Sequence, residues 1–354
     1  MQRSARLKID FDALTHNLSI VRQYSADANI IAVIKANAYG HGMLAVARHL
    51  QSRVDALAVA CIEEALVLRA DGINAAIMVL QGFQNQYQLQ QCLDFDLQPV
   101  CHQQWQIQLL SQADSAQRIN CWLKIDTGMH RLGIAPEQAL LAAQQLNDAP
   151  VVAQLRLMSH FANADDSASA FNQIQLDRFN QCQQALGLEA SLANSAAILS
   201  MPNAIQHWVR PGIMLYGASP FGHRAAADFG LKPVMTLTSQ VIAINSLSAG
   251  QALGYGSLWR SSRDSQIAVV GIGYGDGYPR HANNGTPVWL NGQRLALVGQ
   301  VSMDMICVDI SDCDSTVNIG DEVTLWGGPL DINEVAEAAS TISYELLCHC
   351  GKDQ

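Results

Sequence analysis

The chain has 354 residues, of which 49% are hydrophobic and 15% charged; 21 Lys plus Arg stand against 31 Asp plus Glu, a net charge of −10. That length predicts two domains, each able to bury a core, and so few charges exclude a chain held open by self-repulsion. The acidic balance, with no basic run, excludes nucleic acid and an anionic membrane surface as partners.

The N-terminus carries Arg3, Arg6 and Lys8 with no apolar segment behind them, so it does not read as a secretory signal. Apolar stretches are too short to span a bilayer, and the cytoplasm is the expected compartment. Eight runs rich in Val, Ile and Leu follow, at 30–35, 56–60, 76–80, 97–101, 119–125, 151–159, 190–194 and 208–216. They lack strict alternation, as strands buried on both faces do. Helix-length segments separate most of them, clearest at 41–51, 63–71, 103–111, 136–146 and 168–186, with Pro136 at a favoured first-turn position. Eight such units predict a closed (β/α)₈ barrel, a TIM-type fold, over a doubly wound open sheet.

The texture changes near residues 230–233. Short β-type runs at 234–244, 266–272, 287–290, 294–298, 305–309 and 322–326 are separated by Gly, Asn, Asp and Ser, and Asn291-Gly292 marks a hairpin. A lone helical pattern covers 331–340. The domains are therefore expected at 1–230, the barrel, and 231–354, an all-β domain. Nine cysteines, an odd number with no signal, point to reduced thiols, and Cys348-His349-Cys350 lacks a second cluster at ligand spacing, so no metal is expected. Phosphate-loop, nucleophile-elbow and zinc-helix motifs are lacking. Gly271–Gly277 (GIGYGDG) fails the dinucleotide fingerprint because Asp276 stands where its third glycine belongs.

Chemistry in such a barrel collects at the C-terminal strand ends. The first strand ends in Lys35, where burial favours the neutral, nucleophilic amine, although taken alone a surface lysine beyond a shorter strand is the better explanation of the residue. The fifth ends in Lys124-Ile125-Asp126 with Arg131 beyond it, the sixth in Ser159-His160, the seventh in Asn194-Ser195, and the eighth carries Arg210-Pro211-Gly212-Ile213. Four cationic-capable ends around one rim repel one another and call for an anionic ligand, most simply a phosphate.

Nine segments together resemble the alanine racemase family of fold-type III pyridoxal 5′-phosphate enzymes. They are AVIKANAYGHG (32–42), KIDTGMHRLG (124–133), MSHFANA (158–164), NSAA (194–197), VRPGIMLYG (209–217), LGYGSLW (253–259), GIGYGDGYP (271–279), VGQVSMD (298–304) and Tyr344-Glu345. The resemblance implies an isomerase that interconverts L- and D-alanine, supplying D-alanine for peptidoglycan or degrading it. It further implies a homodimer with shared active sites. Lys35 would bind pyridoxal 5′-phosphate covalently. Tyr39, Ser195, the amides of Gly212 and Ile213, and Tyr344 would hold its phosphate, with Asn194 a weaker candidate. Gly212 suits this because a missing Cβ lets phosphate oxygens approach the backbone.

Arg210 resembles the arginine facing the pyridine nitrogen. Always protonated, it would leave that nitrogen unprotonated and weaken the electron sink. Racemisation needs a proton removed on one face and returned on the other, so two bases are expected. By resemblance these are Lys35 for D-alanine and Tyr255, from the other subunit, for L-alanine, with a cationic chain through His160 and Arg210 lowering the tyrosine pKa. Arg131 would contact the substrate carboxylate and the cofactor phenolate, and Lys124 matches a lysine often carbamylated in the family, which would orient Arg131, an unmodified strand-end lysine paired with Asp126 being the alternative. Met303 and Asp304 resemble the partner's rim at the substrate, and Tyr274 and Tyr344 an entry gate. Ser191 stands where some members have a histidine supporting the arginine. A broad-specificity or serine racemase, and a non-catalytic barrel-only cofactor carrier, are the competing readings.

Overall fold

A computed structural model describes residues 4–350, so Arg3 of the basic N-terminus lies outside it. The chain forms two compact units. One holds residues 18–38 and 42–215; the other holds the N-terminal residues up to Asn17, Tyr39–His41 and the chain from Tyr216 onward. The sequence placed the change at 230/231. The compact units divide at 215/216, and β1 (Arg6–Ile9) pairs antiparallel with a strand of the second unit, Arg6 opposite Thr238. A four-residue strand that buries nothing fully gives little sequence signal.

The first unit is a closed barrel of eight parallel strands: β2 (Asn29–Val33), β3 (Ala56–Val59), β4 (Ile77–Val79), β5 (Leu97–Cys101), β6 (Ile119–Lys124), β7 (Val152–Met158), β8 (Ala190–Asn194) and β9 (Trp208–Arg210). Ile30 opposite Val209 closes the ring. Helices cover its outside, which explains why β3, β4 and β5 are buried at every residue and read as unbroken apolar runs. The Arg156 guanidinium lies 5.5 Å from the Trp122 ring centroid and 4.9 Å from that of Trp208, and pairs with Glu189 at 2.8 Å. Stacking and a carboxylate together offset the cost of placing that cation under the barrel.

The second unit is antiparallel. β10 (Met235–Leu247), β13 (Ser265–Val270), β14 (Pro287–Leu290), β15 (Gln293–Val298), β16 (Ile306–Asp309) and β17 (Glu322–Trp326) join β1 in the order β1-β10-β13-β16-β15-β14-β17, and β10 also pairs β17. Leu290 opposite Gln293 makes the expected two-residue hairpin, with Asn291 at φ 48° and Gly292 at φ 82°. A small ribbon, β11 (Ala252–Leu253) with β12 (Trp259–Arg260), carries Tyr255 in its connecting loop. Helices Ile332–Ala338 and Ser343–Cys350 complete the unit. Among the described residues no helix is long and apolar enough to cross a membrane, and no group of three His, Cys, Asp or Glu side chains converges as a metal site.

Candidate active site

Lys35 follows β2 and opens an unusual turn. Ala36, Asn37, Ala38 and Tyr39 all have φ between 52° and 54°, a left-handed turn made without glycine. Such a backbone costs about 1–2 kcal/mol per residue, so neighbours must hold it. Asn37 accepts the Met43 amide at 2.8 Å. Glu64 accepts the Ala36 amide at 2.8 Å with one oxygen and the Ala60 amide at 2.7 Å with the other, tying the ends of β2 and β3 together. Glu64 escapes a sequence reading, in which Ile62-Glu63-Glu64 is only an acidic first helical turn.

The remaining strand-end residues of the barrel unit share one electrostatic environment. Burial lowers the Lys124 amine to about 8, reinforced by the charges of Arg210, Arg131 and Lys35. The Asp126 carboxylate opposes this shift, and that group is occupied by the Gly128 and His130 amides at 2.9 and 3.1 Å. His160 is pushed well below the usual imidazole range, first by burial and then by the Arg210 charge, so it is neutral near pH 7. Of the two groups expected to form a cationic chain, Arg210 carries charge at neutral pH, and its charge is one cause of the His160 shift. Gln175, fully buried, fixes this region by donating to Thr127 Oγ1 at 3.2 Å and the His160 carbonyl at 3.1 Å while accepting the Ala162 amide at 2.8 Å.

Arg210 is buried with no carboxylate partner among the described residues. It donates to Ser191 Oγ at 2.6 Å, the Ser159 carbonyl at 2.5 Å and the Leu192 carbonyl at 3.2 Å, and burial lowers its pKa to about 10, still fully charged at neutral pH. Ser191 Oγ donates its own hydrogen bond to the Trp208 carbonyl at 2.9 Å. A hydroxyl thus takes up the guanidinium without adding charge. Ser195 Oγ accepts the Gly212 amide at 2.9 Å, which preforms the turn before Ile213. Asn194 caps helix Ser195–Ser200 by accepting the Ala197 amide at 3.0 Å, so its oxygen is already committed.

The second unit groups the tyrosines. Tyr39 stacks on Tyr216 with ring centroids 4.8 Å apart and lies 6.0 Å from Tyr344, while His41 lies 4.5 Å from Tyr216. Burial raises the Tyr39 phenol far above its ordinary value, so it stays protonated and can donate to an anion. The Tyr255, Tyr274 and Met303 side chains are exposed, as is Asp304. The Tyr274 amide donates to the Ser302 carbonyl at 3.1 Å and that of Gly275 to the Met303 carbonyl at 2.8 Å, so these loops move as one. Gly273 is required there, since a Cβ would sit 2.3 Å from the Ser302 oxygen.

A barrel rim with four cationic side chains, one committed carboxylate and a preformed hydroxyl–amide turn suits a phosphorylated cofactor. Fold and site together define a barrel-and-β-domain enzyme built around an anionic cofactor. The alanine racemase N-terminal domain model matches residues 9–220 and the C-terminal domain model residues 234–354. An alanine racemase of Thioalkalivibrio sulfidiphilus is 49% identical over 99% of this chain and 98% of its own length. The biosynthetic alanine racemase of Pseudomonas aeruginosa superposes with a TM-score of 0.95 at 40% identity, covering 99% of this chain and 97% of that one. That of Bartonella henselae, solved with covalently bound pyridoxal phosphate, gives 0.89 at 32% identity over 99% and 98%. The chain belongs to the alanine racemase family. It is an isomerase that uses pyridoxal 5′-phosphate to interconvert L-alanine and D-alanine. The match through the second domain removes the barrel-only carrier reading.

Proposed function

We propose that Lys35 and Tyr255 are the two bases, Lys35 serving D-alanine and Tyr255, supplied by a second copy of the chain, serving L-alanine. The observation that carries this is the position of Tyr255. It is 67% exposed on a short loop, makes no hydrogen bond among the described residues, and has exposed Leu258 and Met303 in the same unit. A phenol and apolar side chains left bare on one unit suit burial against another copy.

Bound pyridoxal 5′-phosphate draws electrons from the α-carbon and so acidifies its hydrogen. The chain's residues do the rest. Lys35 anchors the cofactor and then carries a proton on one face. Ser195, the Gly212 and Ile213 amides, Tyr39 and Tyr344 would hold the cofactor's phosphate. Arg210 would donate to the pyridine nitrogen, with His160 in the same electrostatic environment. Arg131 takes the substrate carboxylate, with Met303 and Asp304 of the second copy at the same mouth and Tyr274 and Tyr344 narrowing the entry. Lys124, partly deprotonated near pH 8, is nucleophilic enough to take up carbon dioxide, which would turn a cation beside Arg131 into an anion that orients it. Work on peptidoglycan precursors in the cytoplasm, supplying or removing D-alanine, is the role this chemistry serves.

The test is borohydride reduction of the loaded enzyme followed by peptide mapping, which should place the label on Lys35. Lys35→Ala should fold with an unchanged circular dichroism spectrum and lose racemisation in both directions by at least about four orders of magnitude. A label on any other lysine overturns the assignment.

A further inference from the structure

We propose that Glu64 is the positioning residue of Lys35: its carboxylate clamps the peptide bond that follows the lysine and so fixes where the amine stands. The inference rests on Lys35 being the lysine that binds the cofactor.

Helix capping accounts for only half of what Glu64 does. It is the third residue of helix Ile62–Ala70, whose cap residue Cys61 makes no side-chain cap bond. A glutamate at that position characteristically reaches back to an amide at the start of its own helix. One oxygen does so, accepting the Ala60 amide at 2.7 Å. The other crosses to the neighbouring strand end and accepts the Ala36 amide, 28 residues away in sequence, at 2.8 Å. That amide belongs to the peptide joining Lys35 to Ala36. Glu63, in the same helical turn, has no such reach: its carboxylate accepts the Gln88 side chain at 3.2 Å.

Ala36 is where a clamp matters. It is the first left-handed residue after the lysine, at φ 53°, with Asn37 at 53° and Ala38 at 54° behind it. The backbone before it is held by the Ile34 amide on the Ala58 carbonyl at 2.8 Å, and the backbone after it by the Ala38 amide on the Ile34 carbonyl at 2.8 Å. Glu64 supplies the bond at Ala36 itself. An L residue is disfavoured in this conformation, so a released Ala36 turns away from it. Rotation about its N–Cα bond swings the Lys35 peptide and the side chain with it. For an amine that must reach one cofactor atom and then one side of the substrate, a displacement of about 1 Å costs about a hundredfold in rate.

The test uses the cofactor-loaded enzyme with Glu64→Gln and Glu64→Ala, each alone and combined with Ala36→Gly. Glutamine keeps the shape and one acceptor but turns an NH₂ toward an amide, and it serves if the alanine variant folds poorly by circular dichroism. Each single variant should lower kcat about tenfold to a hundredfold in both directions, with KM within about twofold of wild type. Each should also release pyridoxal 5′-phosphate on dilution at least about tenfold faster, read from the visible absorbance. Glycine takes the left-handed conformation without the Cβ penalty, so Ala36→Gly should return both readouts at least about fivefold toward wild type although the bond stays lost. A helix cap alone has no connection to residue 36 and gives no such recovery. Glu63→Gln removes a carboxylate from the same turn and should leave kcat and cofactor release at wild-type values. Single variants that match wild type, double variants no better than the single ones, or an equal loss in Glu63→Gln each overturn the proposal. Borohydride labelling of wild type separates the two readings: a label on another lysine removes the premise, whereas a label on Lys35 without recovery at residue 36 removes Glu64 alone.

Discussion

Lys124 illustrates how far one residue's chemistry follows from its place. Its amine sits at a barrel strand end beside three other cations, and its pKa falls from 10.5 to about 8, with burial the larger cause. Between those two values the unfolded chain holds the proton and the folded chain releases it, so stability rises as pH climbs through that window. Below about pH 8 the full cost of the buried cation is present. Lys124→Met removes the charge and keeps the length. In carbonate-free buffer, with both proteins in the same cofactor state, it should be more stable than wild type by about 3 kcal/mol at pH 7, the two converging near pH 10.5. Parallel denaturation midpoints across that range would contradict the account. The strand-end rule exposed Lys35, Lys124, Arg131, His160 and Arg210 in the sequence, because a cation after a run of Val and Ile stands out. Glu64 and Gln175 stayed hidden: each works mainly through backbone amides and carbonyls, which leave no pattern in side-chain identity. Tyr255 was legible only by resemblance, since its loop alone reads as a turn.

Among the elements, the left-handed turn after Lys35 is the least expected. Nothing in Ala36-Asn37-Ala38-Tyr39 favours it locally, and alanine prefers a right-handed helix by about 1–2 kcal/mol. The turn persists because Glu64 and Asn37 bind its amides and those beyond it. Ala36 is exposed at φ 53°, so Ala36→Gly relieves that strain while removing little packing. After allowance for the freer unfolded chain, the variant should gain up to about 1 kcal/mol in urea denaturation with an unchanged m-value. A loss of stability would mean that the methyl group is itself packed. The barrel strands were legible to within a residue or two at most ends, because burial on both faces selects continuous apolar runs. The exception is the last run, which reads through Pro211 to Tyr216 although β9 stops at Arg210. Helix Gln86–Asp94 was missed: QYQLQQCLD offers only Leu89, Cys92 and Leu93 to the core, and its start is set by the Asn85 cap on Gln88 rather than by periodicity.

At the scale of the whole molecule the two-base chemistry and the assembly become one question. Lys35 lies in the barrel unit and Tyr255 in the other, and a dimer offers two ways to combine them: within a chain or across chains. Homodimers of Lys35→Ala and of Tyr255→Ala should both be nearly inactive under either arrangement, so single variants cannot separate them. A mixed dimer can. If each mouth takes its lysine from one chain and its tyrosine from the other, the heterodimer gathers both lesions in one mouth and leaves the other intact. About half of wild-type activity per dimer should return, as two-fold symmetry requires. If both bases come from one chain, each mouth keeps one lesion and the mixture stays inactive. Two affinity tags, co-expression and tandem purification isolate the species, and cofactor content checks that it is loaded. A loaded, correctly assembled and inactive heterodimer would refute the shared site. The face assignment has its own reading in the Tyr255→Ala homodimer, which keeps Lys35. Deuterium should enter the α-position of D-alanine faster than that of L-alanine, because the surviving base lies on the face that D-alanine presents to it. Equal exchange from both enantiomers would leave the dimer result intact and reverse the conclusion about which base serves which face.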